Sequence, residues 1–185
     1  MELSREKALE LLKEYTRNPA LIKHALAVEA AMAAYAKRFG EDETKWRVVG
    51  LLHDFDYEQY PDPAEHSKKG AEILAQLGYP EDVVYAIHAH NEHHGLPRKS
   101  LLDKTLYAVD ELCGFIVAVA LVRPSKKLED VQVKSVKKKM KEKAFARQVD
   151  REAIRTGAEE LGLDLSEHIQ VVLDAMKSIA PDLGL

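Results

Sequence analysis

The chain has 185 residues, 46% of them apolar and 31% charged, with a formal charge of −4. That length suits a single domain with its own core, and an acidic chain gives no electrostatic reason to expect nucleic acid as a partner. The lone cysteine, Cys113, excludes an internal disulfide and points to a reducing, cytoplasmic setting, and no apolar run approaches the roughly 20 residues of a membrane span.

Helical spacing dominates in chain order. Ser4 can cap a first helix whose Ala8, Leu11, Leu12 and Tyr15 share a face, with no secretory pattern in this charged N-terminus. Asn18-Pro19 is a cap followed by a first-turn proline, and Gly40 closes the helix it opens. A third helix is expected from about Glu43 to His53, a fourth from Asp62-Pro63 to Gly78, and a fifth from Pro80 to about residue 90. Ser100 opens a long sixth helix that stops before Pro124. Helical pieces follow around 132–146, after Asp150 and after Ser166. No period-2 strand pattern occurs, so the fold class is all-α: a single-domain helical bundle over 1–185, with its core at about 20–122 and a helical extension at 123–185.

The chemistry-bearing residues are concentrated. Six of the eight histidines lie between His53 and His94, and the run VVGLLHDFDYEQY (48–60) ends an apolar helix on the adjacent pair His53-Asp54. His24 shares a face with Val28, Ala31 and Tyr35, and His66 with Gly70, Ile73 and Leu77. His90 follows Val83 and Ile87 at helical spacing, and Asp110 lies on the buried stripe of Leu106, Tyr107 and Val117. Any one such residue reads most simply as a hydrogen-bonded core group. Four helices each sending one inward is different, because a buried carboxylate costs several kcal/mol without a cation or donors. Imidazoles and carboxylates converging inside a bundle suit a divalent cation, with Mn, Fe, Co, Ni, Zn or Mg all compatible with mixed nitrogen and oxygen donors.

A histidine in an early helix, an adjacent His-Asp pair and an aspartate in a later long helix, here His24, His53, Asp54 and Asp110, resemble the HD superfamily of metal-dependent phosphohydrolases over about residues 20–122. Some of its families bind two metals through further histidines, and HSKKGAEIL and HNEHHG resemble those positions, giving His66 and His90, with His88 as the alternative to His90. The resemblance thus implies one or two divalent ions per chain, with Asp54 as the bridge of a pair. Asn91 replaces a second consecutive histidine, HDFDY replaces the His-Asp-Ile-Gly form, and the Gly-Tyr-Pro motif of cyclic-dinucleotide phosphodiesterases is absent, so hydrolysis of cyclic dinucleotides is not expected.

The function this implies is hydrolysis of a phosphomonoester or phosphodiester, on a small nucleotide-like substrate, by metal-activated water. His53 and Asp54 stand at the centre, and Glu92 or Asp56 is a candidate base or supporting carboxylate. Lys68, Lys69, Arg98 and Lys104 are candidate phosphate-binding cations, each weighed against an ordinary solvated surface, and His88, His93 and His94 are expected at the mouth. Two other readings share the ligand set: a two-iron oxygenase of the same fold, and a nucleotide-binding module without turnover. The basic run KSVKKKMKEKAFAR (134–147) reads as a solvated face with Val136 and Met140 packed inward, in preference to a lid for phosphate-bearing substrates. The apolar run 115–122 suits packing against the tail helices or a second subunit.

Overall fold

The computed structural model describes all 185 residues, and every regular element is helical. Ten α-helices follow in order: α1 (Arg5–Tyr15), α2 (Pro19–Phe39), α3 (Glu43–Leu52), α4 (Lys68–Gln76), α5 (Glu81–His90), α6 (Leu101–Leu121), α7 (Val133–Met140), α8 (Arg151–Glu160), α9 (Leu165–Ser178) and α10 (Ala180–Leu183). The caps follow local chemistry: Ser4, Asn18, Asp42 and Asp150 each accept from a first-turn N–H, and Ser100 forms a capping box with Asp103.

The two longest helices, α2 and α6, are central. α2 packs against α3, α6 and α9, and α6 carries α5, α7 and α8. Trp46, Tyr35, Phe55 and Phe115 are the largest enclosed side chains of the core around them. Two glycines set how closely the helices approach. A Cβ on Gly50 would stand 2.7 Å from the Cα of Glu29, and one on Gly157 would stand 2.5 Å from the Cα of Ala108. The first contact presses α3 onto α2, and the second presses α8 onto α6. Both bring residues of one cleft together.

Two buried polar groups are fully accounted for. Glu29 is held by Arg5 and Arg47. The Nε2–H of His168 donates to the carbonyl of Ala108 at 2.8 Å, which leaves Nδ1 to accept from the Tyr35 hydroxyl at 2.5 Å. Burial lowers the His168 pKa to about 4, partly offset by the bond to Ala108, so this tie between α9, α2 and α6 is made by a neutral imidazole.

The structure corrects two helix boundaries. Asp62-Pro63 does not start the fourth helix: residues 53–67 form successive turns, and α4 begins at Lys68 behind Ser67, whose φ is +65°. The cap comes from a distance, because Asp56 Oδ2 accepts the N–H groups of Ser67 at 2.8 Å and Gly70 at 2.7 Å. In the basic run, the helix stops at Met140, because Arg151 donates to the carbonyls of Met140, Glu142, Phe145, Ala146 and Val149 and holds 141–149 as turns. Val136 and Met140 are buried, as expected of a solvated helix with an inward stripe.

Candidate metal centre

The C-terminal end of α3 delivers His53 and Asp54 to the middle of the bundle, facing His24 of α2 and Asp110 of α6. His24 Nε2 is 2.8 Å from Asp110 Oδ1, and His53 Nε2 is 3.3 Å from His24 Nε2, from Asp54 Oδ2 and from Asp110 Oδ1. A second group shares the same aspartate: His66 Nε2 and His90 Nε2 each lie 3.1 Å from Asp54 Oδ1. Within each group the donor atoms lie within 4.8 Å of one another, close enough to share a cation. Asp54 therefore turns one oxygen to each set.

The outward nitrogens of three imidazoles are already committed. His53 Nδ1–H donates to Gly50 O at 2.7 Å, His90 Nδ1–H to Ile87 O at 2.5 Å, and His66 Nδ1–H to Asp56 Oδ1 at 2.9 Å. A neutral imidazole so held presents a bare Nε2 lone pair, the orientation of a metal-ligating histidine. Lone pairs facing carboxylate oxygens at 3.1–3.3 Å repel unless a proton or a cation lies between them. The donor set thus fits one or two divalent cations of the nitrogen- and oxygen-binding kind, with no thiolate at hand.

The electrostatics agree. Burial disfavours a charged His53, but Asp54 and Asp110 outweigh it and hold its pKa well above the ordinary value. Burial would raise Asp54 and Asp110, yet the neighbouring histidines keep both well below the carboxylate range. For His66, burial is opposed by Asp54 and Asp56, and the pKa stands at about 9. The carboxylates stay ionised and recruit positive charge.

The cleft over these groups has a volume of about 390 Å³. His53 is enclosed, while His24, Asp54 and Asp110 keep 21–23% of their side chains exposed, so the cluster is reachable from the cleft. Its remaining wall includes Tyr57, Asn91, Glu92, Tyr107, Glu111 and Asp150. The Tyr107 hydroxyl donates to Glu92 at 3.0 Å, and burial together with Asp110 raises Glu111 to about 7. No lysine or arginine lines this cleft.

Other expected site residues lie elsewhere. Lys69 pairs with Glu72 on the surface, Lys68 opens α4 beside His88, and Lys104 lies near Glu160. Arg98 makes a two-pronged pair with Glu160 and stacks 3.7 Å over the Tyr107 ring, so it braces the cleft wall from behind. Asp56 is enclosed behind His66, whereas Glu92 faces the cleft. His88, His93 and His94 do not line the mouth: His88 packs on His94, and His94 donates to the carbonyl of His66. His90, and not His88, faces Asp54. Asn91, at the position of a second consecutive histidine, clamps the carbonyls of Pro63 and His66.

An all-α bundle that gathers histidines and aspartates from α2, α3, α5 and α6 around one aspartate defines a class of helical metal-site proteins. The chain belongs to the HD domain family, which matches residues 21–114, just over half of it. Among curated proteins it is 32% identical over 95 residues to Ribonuclease Y of Oleidesulfovibrio alaskensis, covering 51% of this chain and 18% of that one. To Ribonuclease Y of Desulfotalea psychrophila it is 31% identical over 139 residues, covering 71% and 26%. An uncharacterized protein of Methanocaldococcus jannaschii is 36% identical over 115 residues, 55% of this chain and 67% of that protein. The chain thus spans only about a fifth to a quarter of the ribonucleases it matches. No solved structure matches it.

Proposed function

We propose that this protein is a metal-dependent phosphohydrolase acting on a small, nucleotide-like phosphomonoester or phosphodiester. The observation that carries the reading is Asp54, with one oxygen facing His24 and His53 and the other facing His66 and His90. Two ligand sets joined by one carboxylate suit a pair of divalent ions: His24, His53, Asp54 and Asp110 for one, and Asp54, His66 and His90 for the other. Bound there, such ions acidify water and neutralise charge that grows on phosphoryl oxygens.

The chain's own groups do the rest. Glu92 is the cleft carboxylate suited to taking a proton from the attacking water, with Tyr107 fixing its orientation. Asp56 holds the His66 ring in place. Tyr57 offers a donor to phosphate oxygens, while Glu92, Glu111 and Asp150 favour an organic portion rich in hydroxyl or amine donors, as a ribose or an aminated base would be. A cleft without lysine or arginine suits one phosphoryl group better than a polyphosphate or a long nucleic-acid backbone.

The deciding experiment is elemental analysis of protein purified without chelators, followed by assays with Mn, Ni, Co or Mg on phosphomonoesters, phosphodiesters and a short RNA. Hydrolysis of small esters that disappears in His53→Ala and Asp54→Ala supports the reading. Two irons with oxygen uptake and no hydrolysis would replace it with oxygenase chemistry. Cleavage of RNA alone would shift the substrate to that of the named relatives.

A further inference from the structure

Four glycines lie inside helices: Gly50, Gly70, Gly114 and Gly157. Glycine at such positions costs roughly 0.5–1 kcal/mol relative to alanine. For three of them packing explains the choice. A Cβ would meet backbone at 2.7 Å at Gly50 and at 2.5 Å at Gly157, and the carboxylate of Asp56 at 3.0 Å at Gly70. Gly114, in the middle of α6, has nothing within 4 Å of a Cβ. No neighbour in this chain requires it to be small.

The space over Gly114 belongs to two cavities at once. One is the cleft over the candidate metal ligands. The other is a larger, mainly apolar cleft of about 570 Å³ between the start of α2, the end of α6 and α10, walled by Pro19, Val117, Leu121 and Leu183, with Lys23 also in its lining. Gly114 and His24 line both. Leu121 in this second cleft is 49% exposed, one of five large apolar side chains that stand open to solvent. An apolar cleft and a polar one that share His24 and a glycine that nothing else needs have the form of a two-part binding site.

We infer that the second cleft receives an apolar arm of the substrate, attached to the phosphoryl group that lies over the metal ligands and passing across Gly114. The inference rests on the phosphohydrolase reading for the reacting end, and on the Gly114 passage and its apolar walls for the arm. The ligand class is a phosphoester whose alcohol or second ester group carries an alkyl or aromatic portion. That portion continues beyond the hydrogen-bonding wall of Glu92, Glu111 and Asp150.

The test compares phenyl phosphate with 2-naphthyl phosphate, whose leaving alcohols are of similar acidity, on metal-loaded protein, and separately follows binding of 2-naphthol to metal-free protein by its fluorescence. The expected result is a kcat/KM preference for the naphthyl ester of about tenfold or more, from burial of its apolar surface. Gly114→Leu, which fills the passage, and Leu121→Glu, which charges a wall without disturbing the core, should each cut that preference about tenfold and weaken 2-naphthol binding by a similar factor. An unchanged preference and unchanged binding in both variants would overturn the arm site. If no phosphoester is hydrolysed while 2-naphthol binds in a Gly114-dependent way, the apolar site stands and the phosphohydrolase reading fails.

Discussion

Asp56 lies directly behind His66 and serves two elements at once. Its Oδ1 accepts from His66 Nδ1 at 2.9 Å, while its Oδ2 accepts the N–H groups of Ser67 and Gly70 that open α4. The carboxylate is enclosed, and a Cβ on Gly70 would crowd it at 3.0 Å. Asp56→Asn should therefore be felt twice. An amide cannot accept at both ends, so one donor set loses its partner and stability falls by about 1–3 kcal/mol in denaturant titrations. Affinity for a cation held by His66 should drop roughly 10–100-fold in calorimetric titration.

Asp54 makes a different prediction, about stoichiometry. Because each of its oxygens faces a separate histidine pair, Asp54→Ala should abolish both metal equivalents in elemental analysis of the loaded protein. His66→Ala should lose only one. Equal loss in the two variants would mean that the sets are not separate.

Gly50 and Gly114 should respond to alanine with opposite signs. At Gly50 the methyl would enter the backbone of α2 beside Glu29, so the helices must part and stability should fall by about 1–3 kcal/mol. The same displacement moves His53 away from His24, so the metal affinity of that pair should weaken alongside. At Gly114 the methyl meets open space, and helix propensity alone should raise stability by about 0.5–1 kcal/mol. Thermal and urea unfolding of the two variants checks both signs.

His168 predicts a pH effect remote from the cleft. Its folded pKa of about 4 lies below the unfolded value of about 6.5, so the unfolded chain binds the proton more tightly. The stabilising contribution is complete above about pH 6.5 and is lost as pH falls toward about 4, with about 2 kcal/mol gone between pH 7 and pH 5. His168→Gln, which retains donor and acceptor but cannot titrate in this range, should remove that component of the pH dependence of the unfolding free energy.

Much of this protein is legible in its sequence because its signals are local. The caps at Ser4, Asn18, Asp42, Ser100 and Asp150 act within a turn, and 3.6-residue spacing sets which residues share a face. That spacing is enough to send His24, His90 and Asp110 inward and to identify the neighbours of His53 and Asp54, whereas His66 lies on the turns before α4 and is held there by Asp56. The start of α4 was not legible, since its cap is Asp56, 11 residues from Ser67. Nor was the fate of Arg98, whose partner Glu160 is 62 residues away.

The walls of the cleft are tertiary in the same sense. Tyr107, Glu111 and Gly114 share one face of α6, but Asp150 joins them only because α8 packs on α6 through Gly157 against Ala108, and Tyr57 comes from the turns after α3. Gly114 did leave a trace, as a glycine interrupting an apolar helix, but its meaning depends on what does not touch it. Helical period thus determined the fold class and the inward faces of His24, His90 and Asp110 by itself. Close backbone approach and long-range pairing, which depend on three-dimensional distance, decided the committed face of each imidazole and the shape of the space a substrate would enter.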